Sequence, residues 1–578
     1  MGAFGGGFGP TNKGIREVTL TSFISKMNGV LTPKITGNNV TFDGAGNWVT
    51  GLGSLTPDLS TYPGSMYLNF TSGNQAVKLD PVIDTTNYFL VRVKARKVSG
   101  TGMTLRLGYF ASGSPQTNMF DITPETTSRW FYGYLWGGIN TIFYIGAINA
   151  NNNGTKIAIE EIHCDQVSTS QILSIKWNDF PRSNNYSGIF NSFSRSNQTL
   201  LKVGMFGDSI VANSTGGNIL AGNDEGVMMR PPRLTTNNIA RRIYDRLKYN
   251  APIFRRLDHS DWTKSTLSGG NDFSEMLSSA GTYKTPWHPN NTDEKYFRTA
   301  QSGAYCEITI PNGKENCCII YRTDYQENSN NFDSNITVTL NGGDISAYGS
   351  ALLNELRPAE TDYEVTHGFG LNIAEYNNLP AGSNVIRLTK SANTTEFHIW
   401  GVAYWSGNTM MLLNTGFGGG SILTLSNLTG QACVKQNYDL GFFELPIMNN
   451  SGGGITLANQ LRYLFITLNR TTINFNNILF FTPHPFGTNP ENSSTNYYTT
   501  YNNPNYLNSA RLSMYILAFL GFNYIDTFKL FYYDLTSRGG TLLGGESGLF
   551  YTTDGQHPSE SGTDKYVSYL INKIPLIS

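Results

Sequence analysis

The sequence predicts an α/β domain combined with two all-β modules, one preceding it and one inserted within it. Three observations carry this expectation. Residues 21–168 are strand-like runs with no helical period; an α/β rhythm opens near Thr199; and that rhythm stops from 266 to 407 before resuming.

Taken in order, residues 1–20 are Gly-rich and then polar without periodicity, which predicts an N-terminal arm. Over 21–170, runs such as Ser65–Phe70, Tyr88–Ala95, Met103–Tyr109, Ile142–Ile145 and Lys156–Ile162 are divided by turn residues, the pattern of an antiparallel β-sandwich. The α/β domain is assigned to 199–265 and 408–578. Leu200–Phe206 is a buried strand, and Ile239, Ile243 and Leu247 recur every four residues on one helix face. Over 266–407 the runs Ala304–Ile310, Cys318–Tyr321, Ile336–Leu340, Asn384–Leu388 and Phe397–Tyr404 predict a second sandwich. Helical spacing returns at Leu457, Leu461, Leu464 and Leu468, followed by strand 478–481, helix 505–520, strand 522–525 and helix 563–574. Chain length supports an insertion. Ser209 and His557 are 348 positions apart, and without the 142 residues of 266–407 about 200 remain, the size of one ordinary domain.

Two short stretches carry chemistry. Gly207-Asp208-Ser209 directly follows the Leu200–Phe206 run, and Asp554-Gly555-Gln556-His557 precedes the last predicted helix. A serine hydroxyl becomes a nucleophile when a base takes its proton, and a carboxylate orients that base and stabilises its cation. Ser209, Asp554 and His557 supply these parts. Either stretch alone is an ordinary turn or helix start.

Together these stretches resemble the SGNH (GDSL-type) hydrolases, over roughly 240 of the 578 residues. The resemblance implies a flavodoxin-like α/β/α domain with Ser209 as nucleophile, His557 as base and Asp554 as its carboxylate. Asp208 is then a loop-fixing acceptor. The family's glycine block matches Asn414–Ser421, with Gly419 as the oxyanion-hole glycine, whose N–H joins that of Ser209. The family's Asn block departs from pattern after Leu445: strict register puts Pro446 where Gly belongs and Met448 where Asn belongs. A one-residue slip makes Asn449 the side-chain donor, with Asn450 as the alternative. Both sandwiches resemble carbohydrate-binding modules, the inserted one a jelly roll. Trp130, Tyr132 and Trp136 are candidates to stack on sugar rings, against the commoner role of sandwich aromatics as core. The insert's return beside the glycine block places it, on this reading, over the active-site rim.

Composition narrows the classes. Net charge is −1, so no basic footprint for nucleic acid exists. Charged residues make up 14%, against roughly 25% in ordinary soluble chains, and aromatics 13%. Five scattered cysteines predict no disulfide framework, and no Cys/His cluster has metal-ligand spacing. Of seven histidines only His557 has a carboxylate three residues before it and a predicted helix after it; His484 follows a strand and is a minor candidate for substrate contact. The N-terminus lacks a basic stretch followed by an apolar run, so no signal peptide is predicted, and the longest apolar run is too short to span a membrane.

This combination resembles phage tailspikes and tail fibres that remove acetyl groups from surface polysaccharide. It implies a virion protein acting outside the host cell without metal or organic cofactor. The expected partners are a bacterial surface polysaccharide, a tail or baseplate protein bound by the arm, and two further copies in a homotrimer. Two other classes stay open: a non-catalytic receptor-binding tail protein with a degenerate site, and a cellular esterase or lipase.

Overall fold

The computed structural model describes residues 19–44, 46–72, 75–80, 88–100, 103–108, 119–136, 144–147, 154–181, 200–206, 255–256, 262–263, 267–269, 274–277, 295–299, 303–323, 336–353, 370–390, 397–414, 439–445, 477–482, 504–530 and 560–571, with positions 239, 242, 243, 246, 247, 465 and 469. Its centre is a six-stranded sheet in the order Arg255–Arg256, Thr409–Asn414, Leu200–Phe206, Leu440–Glu444, Ile478–Phe481, Asn523–Ile525. Every pairing in it is parallel. A parallel sheet is covered on both faces, so its strands are apolar at successive positions rather than alternately. Ile478, Leu479, Phe480 and Phe481 are all fully buried, as that rule requires.

Alternation along the strands sorts the two faces. Leu200, Met411, Phe443, Ile478, Phe480 and Tyr524 share one core with the helix Pro504–Phe519, through Leu512, Tyr515 and Ile516. That helix stops because Gly521 takes a left-handed φ of +84°. This lets Gly521 N–H reach Ala518 O (3.1 Å) and Phe522 N–H reach Leu517 O (3.0 Å), satisfying two terminal carbonyls while Phe522 buries. On the opposite face, Phe481 meets Tyr566 of the helix Glu560–Ile571 edge-on at 5.9 Å. Ile239, Ile243 and Leu247 are helical and buried, as their spacing predicts. Arg242 of the same stretch pairs with Asp564, and Arg246 Nη1 donates to Ser568 Oγ at 3.1 Å.

Residues 32–167 form two five-stranded antiparallel sheets. They face each other across one core that takes Trp48, Val77, Leu105 and Ile145 from one sheet and Met66, Val91, Phe131 and Ile157 from the other. The strands Met66–Phe70, Tyr88–Ser99, Leu105–Gly108, Tyr144–Ala147 and Thr155–Val167 overlap the predicted runs. The helix Leu20–Val30 is a departure from the strand-only expectation for this region. Thr19 caps it, its side chain accepting from Ser22 N–H at 3.2 Å, and Phe23 and Met27, four apart, bury against the α/β core.

The outward face of the sheet that holds Arg129–Trp136 docks on the α/β domain. Leu90, Tyr132 and Tyr134 lie in the same cluster as Phe465 and Phe522. Tyr132, expected among sugar-stacking candidates, is instead 8% exposed, and burial pushes its phenol up to about 12. Arg129–Trp136 ends its sheet, so its outward backbone groups need partners. Asn469 supplies them: its Oδ1 accepts from Tyr132 N–H (2.9 Å) and its Nδ2 donates to Tyr132 O (2.6 Å). One carboxamide thus stands in for a neighbouring strand, and Arg129 Nη2 donates to the Asn469 carbonyl at 2.5 Å.

Residues 262–405 form two further six-stranded antiparallel sheets around a second sandwich core of Cys306, Ile308, Ile319, Val338, Ile386 and Val402. The buried thiols Cys317 and Cys318 point to opposite sides, Cys317 into this core and Cys318 into the α/β cluster beside Trp405. This module joins the parallel sheet at its amino-terminal edge. It follows Arg255–Arg256, which pairs with Thr409 and Met410, and it returns through Trp405 into the first residue of Thr409–Asn414. Lys202, early in its own strand, pairs with Glu375 of the module. A six-residue strand at about 3.3 Å per residue puts roughly 17 Å between this attachment and the glycine block. The module's described attachment is thus at the starts of these strands, and the residues expected to form the active-site rim lie outside the described residues.

Asn469→Ala should remove both hydrogen bonds to the buried Tyr132 backbone, lowering stability by about 2–5 kcal/mol. Urea unfolding measures this; a change under about 0.5 kcal/mol would show that the carboxamide is not what holds the junction.

Candidate active site

In the parallel sheet the chain first moves outward from Leu200–Phe206 to one side, then crosses back to Leu440–Glu444 on the other. The strand order thus reverses at Leu200–Phe206, and the crevice outside the carboxyl ends at such a reversal is where α/β sheets place ligands. The sequence blocks singled out above begin at these ends. Gly207-Asp208-Ser209 follows Phe206 directly, the glycine block begins at Asn414, and Pro446–Asn450 starts two residues after Glu444. Register holds the three strands level: Met205 pairs with Asn414 and Phe206 with Phe443. Asp554 and His557, the other two candidate residues, come six and three positions before the helix Glu560–Ile571.

Ser209, Gly419, Asn449, Asp554 and His557 lie outside the described residues, as do Asp208, Asn450 and His484. What the structure shows is the frame leading into them. The Arg242–Asp564 pair and the Arg246–Ser568 hydrogen bond join the helical stretch that follows Ser209 to the helix that follows His557. Tyr566 of that last helix is fully buried and donates to the Thr482 carbonyl at 2.7 Å, at the carboxyl end of Ile478–Phe481. Pro483 and His484 follow Thr482 in the sequence.

Next to Thr482, at the end of Asn523–Ile525, stands Asp526, 3% exposed. Its Oδ1 accepts from Thr482 Oγ1 (3.2 Å) and Lys529 N–H (2.9 Å), and its Oδ2 from Trp177 Nε1 (3.0 Å). Desolvation raises the Asp526 carboxyl above the usual carboxylate range, opposed by these hydrogen bonds and by the Lys529 charge. Lys529 Nζ donates to the Phe180 carbonyl at 2.6 Å and also to that of Trp177. Glu444, 5% exposed, is a second buried carboxylate at the carboxyl edge, one residue past the position level with Phe206. Sequence reading passed over Asp526 and Glu444. The only local sign was an acidic residue closing an otherwise apolar run. Among the described residues, no three His, Cys, Asp or Glu side chains gather as metal ligands.

No family model matches this sequence, and no curated protein matches it. Among solved structures the chain is similar to one described as "Peptidoglycan O-acetylesterase in action", with 11% identity and a TM-score of 0.36 over 68% of this chain and 97% of that one. It is also similar to a structure described as "CBM4 structure and function", with 13% identity and a TM-score of 0.18 over 21% of this chain and 95% of that one. A third is the tandem CBM22-1–CBM22-2 domain from Paenibacillus barcinonensis Xyn10C, with 9% identity and a TM-score of 0.18 over 64% and 96%. At these scores the likenesses assign neither a fold nor an activity to this chain.

Because the native state raises the Asp526 carboxyl, it holds that proton more tightly than the unfolded chain does. The contribution is full below the ordinary aspartate value of about 4 and falls as pH rises through the native value. The stability of wild type relative to Asp526→Asn should therefore decrease as pH rises from about 4, measured by denaturant unfolding across a pH series. A relative stability that climbs with pH would reverse the sign of this assignment.

Proposed function

We propose that this chain is a serine esterase of SGNH type that removes O-acetyl groups from a bacterial surface polysaccharide. The observation that supports the reading is that three motif blocks follow in sequence on the carboxyl ends of adjacent parallel strands at the reversal point of the sheet. In this reading Ser209 Oγ attacks the acetyl carbonyl while His557 takes its proton, with Asp554 holding the imidazole in the required tautomer. The N–H groups of Ser209 and Gly419 and the side chain of Asn449 donate to the developing oxyanion. His557 then gives that proton to the sugar oxygen as its bond to the acetyl carbon breaks, so the sugar leaves as a free hydroxyl and the acetyl group stays on Ser209. Water, deprotonated by His557, releases acetate and restores Ser209.

The domain division 21–170, 199–265 with 408–578, and 266–407 belongs to the same proposal, with the sandwiches as glycan-holding modules. So does a place in a phage tail, with residues 1–20 binding a tail or baseplate protein and three copies forming a homotrimer. One specific observation favours a second reading. Pro446 and Met448 stand where the family pattern has Gly and Asn, as in a degenerate site that binds the host receptor without cleaving it.

Acetate release from bacterial polysaccharide by the purified protein separates the two readings. Ser209→Ala should reduce turnover of an acetyl ester by roughly 10³–10⁶ with the fold retained. More than a tenth of the activity remaining would remove Ser209 from the chemistry. Asn449→Ala should lower kcat by about 10²–10³ with little change in binding. If Asn450→Ala carries that loss instead, the register shifts by one. If neither does, the oxyanion rests on backbone N–H groups alone.

A further inference from the structure

The hydrogen bonds around Asp526 make one continuous buried path between two parts of the chain that are far apart in sequence. At one end is Trp177, in the short helical turn Trp177–Asp179 that leads from the N-terminal sandwich towards the nucleophile strand. Its indole N–H reaches Asp526 Oδ2 at 3.0 Å, across 349 positions. Asp526 Oδ1 takes the Thr482 hydroxyl at 3.2 Å, and that hydroxyl in turn accepts from Phe528 N–H at 2.9 Å. The Thr482 carbonyl receives the Tyr566 hydroxyl at 2.7 Å and the Thr527 hydroxyl. Tyr566 lies in the helix that starts three residues after His557.

Each group in this path has a fixed role. Asp526, Thr482 and Thr527 are 3%, 0% and 0% exposed, so water does not replace a lost partner. The indole is steadied by Phe528 at 5.7 Å and by Lys529, whose ammonium grips the Trp177 and Phe180 carbonyls. A simpler lock between linker and sheet would need only the apolar contacts of Phe180 with Phe23, Tyr515 and Tyr524. The polar path adds direction: it ends on the helix that follows Asp554 and His557 in sequence.

We propose that Trp177, Asp526, Thr482 and Tyr566 are positioning residues for the esterase reaction, holding the His557-bearing segment in register with Ser209. This rests on the esterase reading above. It makes the linker from the N-terminal sandwich part of the support of the catalytic base rather than a tether.

The test compares wild type, Trp177→Phe, Tyr566→Phe and the double variant on a small acetyl ester, with circular dichroism and thermal unfolding as fold checks. Ser209→Ala serves as the inactive reference. Each single variant should lower kcat roughly 2–30-fold with KM within about twofold. Each should also shift the acid limb of the kcat/KM pH profile, which reports the free enzyme's base. Because both act through one path, the double variant should lose little more than the worse single one. Losses that multiply, an unmoved pH profile, wild-type kcat in either folded single variant, or failure of either conservative variant to fold would each overturn the proposal and leave a scaffold. A wild type that releases no more acetate than Ser209→Ala would instead overturn the esterase reading, and this proposal with it.

Discussion

One apolar cluster on a single face of the parallel sheet holds this protein together. It takes Phe23 and Met27 from the first helix, Leu90, Tyr132 and Tyr134 from the N-terminal sandwich, and Ile172, Ile175 and Phe180 from the linker. Cys318, Ala403 and Trp405 enter from the inserted module, and Leu512, Tyr515 and Ile516 from the long helix. Hydrophobic burial is proportional to area and indifferent to direction. A shared core therefore fuses modules that would otherwise be strung on a chain.

Direction comes from the polar groups trapped around that cluster. Backbone amides buried at a module boundary must find partners, and few geometries allow it. Asn469 completes the open edge at Tyr132, while Arg511 Nη2 donates to the carbonyls of Leu173 (3.1 Å) and Ile175 (2.8 Å). Tyr515 and Tyr524 donate to Ile175 and Pro181 carbonyls, both at 3.2 Å. The linker 168–181 is thus bonded along its length to the α/β domain and behaves as one of its elements.

The attachment of the inserted module follows the same logic. Lys202 pairs with Glu375 and exchanges backbone and carboxylate hydrogen bonds with Asp439, its N–H reaching Asp439 Oδ2 at 2.8 Å. These contacts lie near the start of the strand Leu200–Phe206, and the Gly207-Asp208-Ser209 stretch follows its other end in sequence.

Much of this was legible in the residues. Period-two runs marked the sandwich strands and four-residue spacing marked Ile239, Ile243 and Leu247, while the Ser209 and His557 blocks, singled out by their residue types, lie outside the described residues. These are local properties, set by how a strand or helix presents its side chains to one face. The helix Leu20–Val30 was missed because its signal, a Thr19 cap with Phe23 and Met27, fits one short turn as well as a full helix. The strand order of the sheet, the edge to which the insert attaches, the burial of Tyr132 and the reach of Trp177 to Asp526 were decided by tertiary structure alone. Each depends on which distant group meets a buried polar atom or fills an apolar gap. That choice is made when the modules close on one another, and no neighbour in sequence records it.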